Sequence, residues 1–118
     1  MTDAVAVRDA LVGNRFRFSS ERELQDGIAQ VLTAAGIQFE REVVVHGGRI
    51  DFLCQDGVGI EVKVDGSMAK LVRQIHAYLT DECIHELLVV TSRCGHLGIP
   101  NLLKRKRVVI LWLSERAL

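Results

Sequence analysis

The sequence has no excess of charge of either sign, no long apolar run, no internal repeat and no stretch of biased composition. Its 118 residues carry 15 Lys and Arg against 15 Asp and Glu, so a polyanionic partner would have to be met by cations gathered on one side. The longest purely apolar run, Val108 to Leu113, is far too short to span a bilayer. Cysteine is scarce and odd in number, at three, and the N-terminus is not leader-like. Together these predict free thiols, a cytoplasmic setting and no membrane partner. With 48% hydrophobic and 25% charged residues, the composition excludes a disordered chain. The length suits a single domain over 1–118, with its core over about 19–113.

What is present is concentrated in residues 49–63, which read as two strands around a turn at Asp56-Gly57. In the second strand Val58, Ile60, Val62 and Val64 alternate with Gly59, Glu61, Lys63 and Asp65. One face is therefore expected to be apolar and the other to carry the charges. In the first strand Ile50, Phe52 and Cys54 alternate with Arg49, Asp51 and Leu53. A two-residue loop would pair 55 with 58 and set Asp51 against Val62. A three-residue loop, Gln55 to Gly57, pairs 54 with 58 and sets Asp51 opposite Glu61, with Gly57 left-handed. The second register is expected, because it places the acids on one face.

Opposed carboxylates stand roughly 5 Å apart at Cβ and repel each other unless neutralised. Oxygen donors without a neighbouring histidine favour Mg2+ or Mn2+ over zinc. Lys63 reaches the same space and could position an attacking water or meet the charge of a phosphate in transit. The chemistry implied is metal-assisted phosphodiester hydrolysis.

Asp51 followed by Glu61-Val62-Lys63, with an upstream Glu on a helix, resembles the PD-(D/E)xK nuclease superfamily. Ile50 stands where that motif usually has proline. The resemblance implies an α/β, restriction-endonuclease-like α-β-β-β-α-β core, a mixed sheet with helices on both faces, and magnesium-dependent cleavage of nucleic acid. The helix opening at Ser20-Glu21-Arg22-Glu23 is similar to that of archaeal Holliday junction resolvases. Their functional acid maps onto Glu21, while Glu23 suits a capping box with Ser20. Glu21 read without the resemblance is either a ligand leaning over the sheet or a solvated acid at a helix N-terminus. The resemblance implies a metal set of Glu21, Asp51, Glu61 and the Val62 carbonyl, with Lys63 assisting the attack. It also implies DNA, branched at a junction or flap, as partner and a homodimer as the working form. An RNA-directed nuclease and a non-catalytic binding or assembly module are the competing readings.

Elsewhere a short helix is expected over 3–12, a long one from Ser20 to Gly36, a strand over 37–45, a helix after Asp65-Gly66-Ser67 and a strand over 86–91 parallel to the Glu61 strand. Helical spacing sets Lys70, Gln74 and Tyr78 in one row with Arg73 beside it. Gln74 and Tyr78 are similar to the Gln-x-x-x-Tyr element of RecB-like members. That row either contacts substrate phosphates, orients Lys63 or is the edge of an amphipathic helix. Arg49 and the run Lys104-Arg105-Lys106-Arg107 are further candidate phosphate contacts, the run being otherwise a solvated turn. In Arg15-Phe16-Arg17-Phe18 the phenylalanines are expected to be buried, with the arginines free to touch phosphate. His46, beside two glycines, is expected to be an exposed turn residue. Cys83-x-His85 and Cys94-x-His96 carry zinc-ligand chemistry, but they flank a strand at opposite ends, separated by about 20 Å. One helical turn is expected at 101–103 and a last strand over 108–113.

Overall fold

The computed structural model describes residues 1–114. Asp3 opens helix α1 (Ala4–Leu11) by accepting the Ala6 N–H. The helix lays Ala4, Val7 and Leu11 against the helix that follows it and the last strand of the sheet, the role the sequence did not disclose. Helix α2 (Glu21–Ala34) is capped by Ser20, whose hydroxyl accepts the Glu23 N–H at 3.1 Å. The reciprocal arm of the capping box is displaced by one residue, since Glu23 accepts from the backbone and hydroxyl of Ser19. Leu24, Ile28 and Leu32 form its buried stripe, and Gly36 ends it in the left-handed region.

Six strands form one mixed sheet in the order β1-β2-β3-β4-β6-β5. Strands β1 (Phe39–Val45), β2 (Gly48–Cys54) and β3 (Val58–Lys63) make an antiparallel meander. Helix α3 (Met68–Tyr78), capped by Ser67, then delivers β4 (Glu86–Thr91) parallel to β3, as the strand-helix-strand spacing requires. Strand β6 (Lys106–Trp112) lies parallel to β4 and carries the two-residue β5 (Leu102–Leu103) on its outer edge. The expected turn of helix at 101–103 is therefore a strand. Lys104 and Arg105, both at positive φ, fold it back as a tight hairpin, and no glycine or asparagine signals that turn.

Helices α1 and α2 cover one face, packing on Val58, Ile60, Val62, Leu88 and Val90. Helix α3 covers the other, packing on Leu87, Val89 and Val108. The fold is α/β with helices on both faces. No helix among the described residues is long and apolar enough to cross a membrane.

The hairpin register is the expected one, with Cys54 opposite Val58 and Phe52 opposite Ile60 around the three residues Gln55–Gly57. Asp56 as well as Gly57 is left-handed there. A side chain at Gly57 would collide with the His85 ring. The charged face of β3 is covered by α3, as helices on both faces require, and Glu61 is only 2% exposed, the usual state of a strand inside a parallel sheet. One expectation needs correction, since the β1–β2 ribbon does not keep one apolar face. Phe39 and Phe52 pack on the α2 side, whereas Val43, Val45 and Ile50 pack on the α3 side. The switch falls at Glu42, whose φ is 53°, in the gap between the Arg41–Phe52 and Val43–Ile50 pairs.

Candidate active site

The site lies at the C-terminal end of β3, where the β2–β3 ladder stops at Phe52–Ile60. The Lys63 carbonyl accepts from Ser92 on the β4 side, so strand alternation directs the N–H and C=O of Val62 toward β2. That N–H would be an orphan past the end of the ladder. The Asp51 carboxylate takes it at 2.7 Å, which fixes the acid against Glu61.

Burial is the main force on both carboxyls. It raises Asp51 above its ordinary range, opposed by the Val62 hydrogen bond, with the charge of Glu21 adding to the rise. It raises Glu61 to about 8, with the charge of Asp51 pushing further and Lys63 pulling back. The two carboxyls therefore act on each other. Lys63 Nζ stands 3.3 Å from Glu61 Oε2. Glu61 Oε1 is buried with no hydrogen-bond partner among the described residues.

Tyr78 lies beneath the pair. Gln74 Nε2 donates to its oxygen at 2.8 Å, and its own proton goes to the Arg49 carbonyl at 3.0 Å. Glu61 Oε2, at 3.5 Å from the same hydroxyl, is left at the limit of hydrogen bonding. Burial and the neighbouring acids push the phenol well above its usual range, so it stays neutral. Tyr78 is completely buried and cannot touch a nucleic-acid strand, so of the readings of its row the phosphate contact does not hold for Tyr78. Gln74 is half-buried behind it, while Lys70 and Arg73 are exposed.

A pocket of about 210 Å³ opens beside the acids, lined by Glu21, Lys63, Gln74, Lys70 and the loop Asp65-Gly66-Ser67. That loop is held from the end of β4. Arg93 pairs with Asp65 at 3.0 Å, and Ser92 donates to the Val64 carbonyl. The buried His96 donates from Nε2 to the Gly66 carbonyl at 3.0 Å, so its Nδ1 accepts from Thr91 Oγ1 at 2.7 Å. The three contacts to the loop itself were not legible from spacing, because each joins residues about thirty positions apart.

The structure thus brings together Asp51, Glu61, Lys63, Gln74 and Tyr78, with Glu21 and Lys70 at the pocket wall. Among the described residues no three His, Cys, Asp or Glu side chains form a group that could hold a metal ion, while Glu21 lines the pocket and its charge acts on Asp51. Arg49 is exposed, with Glu42 at 3.9 Å. The run 104–107 lies at the other end of the sheet, five residue steps or about 16 Å from the Lys63 level. Lys106 there donates to the Asp81 and Ile84 carbonyls, and Arg107 pairs with Glu86. Cys83 with His85 and Cys94 with His96 sit at opposite ends of β4.

The donor set fits a hard divalent cation of the magnesium type. It offers two carboxylates, one with a buried oxygen lacking a partner among the described residues, and a backbone carbonyl on the same edge, and magnesium characteristically keeps several waters beside one or two carboxylates. A comparison with models of known protein families, with curated proteins and with solved structures finds nothing that matches this chain.

Proposed function

We propose that the chain is a magnesium- or manganese-dependent deoxyribonuclease of the PD-(D/E)xK type, with α2-β1-β2-β3-α3-β4 as its restriction-endonuclease-like core. The observation that carries this reading is the buried Glu61 oxygen with no partner, beside a second carboxylate and an ammonium. Two desolvated acids pressed together destabilise a fold unless a proton or a cation lies between them. Keeping such a pair against Lys63, which lines the neighbouring pocket, points to a cation that arrives with its substrate.

Asp51, Glu61 and the Val62 carbonyl would hold the ion, which when bound polarises the phosphodiester and acidifies a bound water. The chain's own residues do the rest. Lys63 presents its charge at the pocket wall, where it orients the water and meets the extra charge of the pentavalent phosphorus. Tyr78 and Gln74 buttress Glu61 from below, and the His96-anchored loop shapes the opposite wall. Glu21 acts through its charge at the rim.

The preferred DNA is branched, a junction or a flap. The molecule measures 34 × 31 × 21 Å, about one turn of duplex in its longest direction, which leaves little surface for reading a long base sequence. A two-fold junction needs two cuts, which a homodimer supplies. A second reading, a non-catalytic nucleic-acid-binding or assembly module, is favoured by the absence of a third converging carboxylate among the described residues.

The test is cleavage of a four-way junction, a flap, linear duplex and single strands of DNA and RNA, with Mg2+, Mn2+ or chelator. We expect metal-dependent cutting, strongest on branched DNA, that is lost in Lys63→Ala and Asp51→Asn. Binding of the junction without cutting in either metal would transfer the assignment to the second reading.

A further inference from the structure

Outside the acid site, the segment between α1 and α2 forms one wall of a groove of about 500 Å³ that runs along α2 and is lined by Arg15, Phe16, Arg17, Glu23, Asp26 and Gln30, among others. Its geometry is set by Phe16, which is 3% exposed and packs onto α2 where Gly27 lacks a side chain; a Cβ there would lie 3.1 Å from the ring. With Phe16 inward, Arg15 and Arg17 are both exposed. The groove also holds two carboxylates, yet neither neutralises these arginines. Glu23 accepts from Ser19, and Asp26 pairs with Arg41 at 2.9 Å. Among the described residues Arg15 and Arg17 form no ion pair, and neither do Arg22, Lys70 and Arg73.

These five cations are not scattered. Arg15, Arg17 and Arg22 lead up to and flank Glu21, which lines the pocket. Lys70 and Arg73 occupy the first turns of α3, on the other side of it. The paired cations, by contrast, are mostly committed within the fold. Of the eight Lys and Arg without an ion pair among the described residues, these five therefore gather on the segment before α2 and the first turns of α2 and α3, while Lys104, Arg105 and Lys106 lie at the far end of the sheet.

We infer that the groove along α2 is the track on which one nucleic-acid strand reaches the acid pair, its phosphates held by Arg15 and Arg17. Two arginines projecting from alternate positions of a segment anchored by a buried ring match the regular phosphates of a single strand, and they reach them without reading bases. The ligand chemistry is the phosphodiester backbone, shared by DNA and RNA. This inference rests on the nuclease reading and extends it to the substrate's path.

The experiment measures binding of the full chain to labelled single-stranded DNA, and to RNA of the same sequence, in chelator across a range of salt. Single strands lose about 0.7 of salt slope per phosphate contact removed. The double variant Arg15→Ala/Arg17→Ala should therefore lower the slope by about 1.4 and weaken binding, and Arg15→Lys/Arg17→Lys should restore most of both. Lys104→Ala/Arg105→Ala, at the far end of the sheet, should leave both unchanged. Equal loss on the two strands supports phosphate recognition, and loss on only one identifies that strand as the occupant. Wild-type slope and affinity in Arg15→Ala/Arg17→Ala would overturn the track while leaving the nuclease reading intact. Failure of the wild type to bind either strand at low salt would remove both.

Discussion

Asp51 accepts the Val62 N–H at 2.7 Å while facing Glu61, so a single carboxyl both closes the end of the β2–β3 ladder and supplies half of the acid pair. Asparagine keeps an oxygen for the N–H but removes the charge. Asp51→Asn should fold and lose activity by about 10³-fold or more, since the charge that stabilises the transition state is gone. Glu21→Gln, at the rim, should lose only about 10- to 100-fold, the scale of a supporting group. Initial rates on the best substrate over a magnesium titration check the ranking, and equal losses would place Glu21 in the ligand set. Asp51, Glu61 and Lys63 were legible because strand alternation and a three-residue turn suffice to place them. The burial of Tyr78 was not legible because helical spacing gives its row but not what lies above it. His96 was legible only as half of a Cys-x-His pair, since Gly66 meets it through the tertiary fold.

At the scale of elements, the β1–β2 ribbon decides why Tyr78 is buried. The face switch at Glu42 folds the far end of the ribbon onto α3, where Val43, Val45 and Ile50 join the Leu71, Ile75 and Tyr78 cluster. Alternation in the sequence is blind to such a switch, because a lone glutamate at positive φ leaves no mark in the letters. The tip of the ribbon is docked twice. Asp81 accepts the His46 N–H at 2.7 Å, and Gly47, at φ 84°, lies so close to α3 that a Cβ would stand 2.4 Å from that of Ala77. Gly47→Ala combines left-handed strain with a backbone-level clash, and should destabilise the fold by about 3 kcal/mol. A urea midpoint measured against wild type tests it, and a change below about 0.5 kcal/mol would show that the ribbon tip is not docked as described. Gly36→Ala is the comparison, since its φ is 74° but nothing lies within 4 Å of its Cβ; it should show the strain without the clash.

For the whole molecule, the acid pair links global stability to pH and to divalent cations. An ordinary glutamate titrates near 4.5, whereas Glu61 in the fold is held up to about 8, and Asp51 is shifted in the same direction. Between those values the folded state binds more protons than the unfolded one, so stability must fall as pH rises. Without divalent ions the urea midpoint should drop from about pH 5 to about pH 8, by a few kcal/mol in free energy, because each unit of displacement corresponds to about 1.4 kcal/mol. Below the unfolded value the effect is fully present as stability; above about 8 it is gone. Glu61→Gln removes the titrating group and should flatten this slope while raising stability at pH 8. A cation that replaces the proton should restore the wild type at pH 8, by about 2.7 kcal/mol at a hundredfold excess over its Kd, and should do little for Glu61→Gln. A wild-type midpoint that stays level from pH 5 to 9 would mean that the carboxyls are not pressed together as described. Equal stabilisation of wild type and Glu61→Gln by magnesium would place the ion away from this pair.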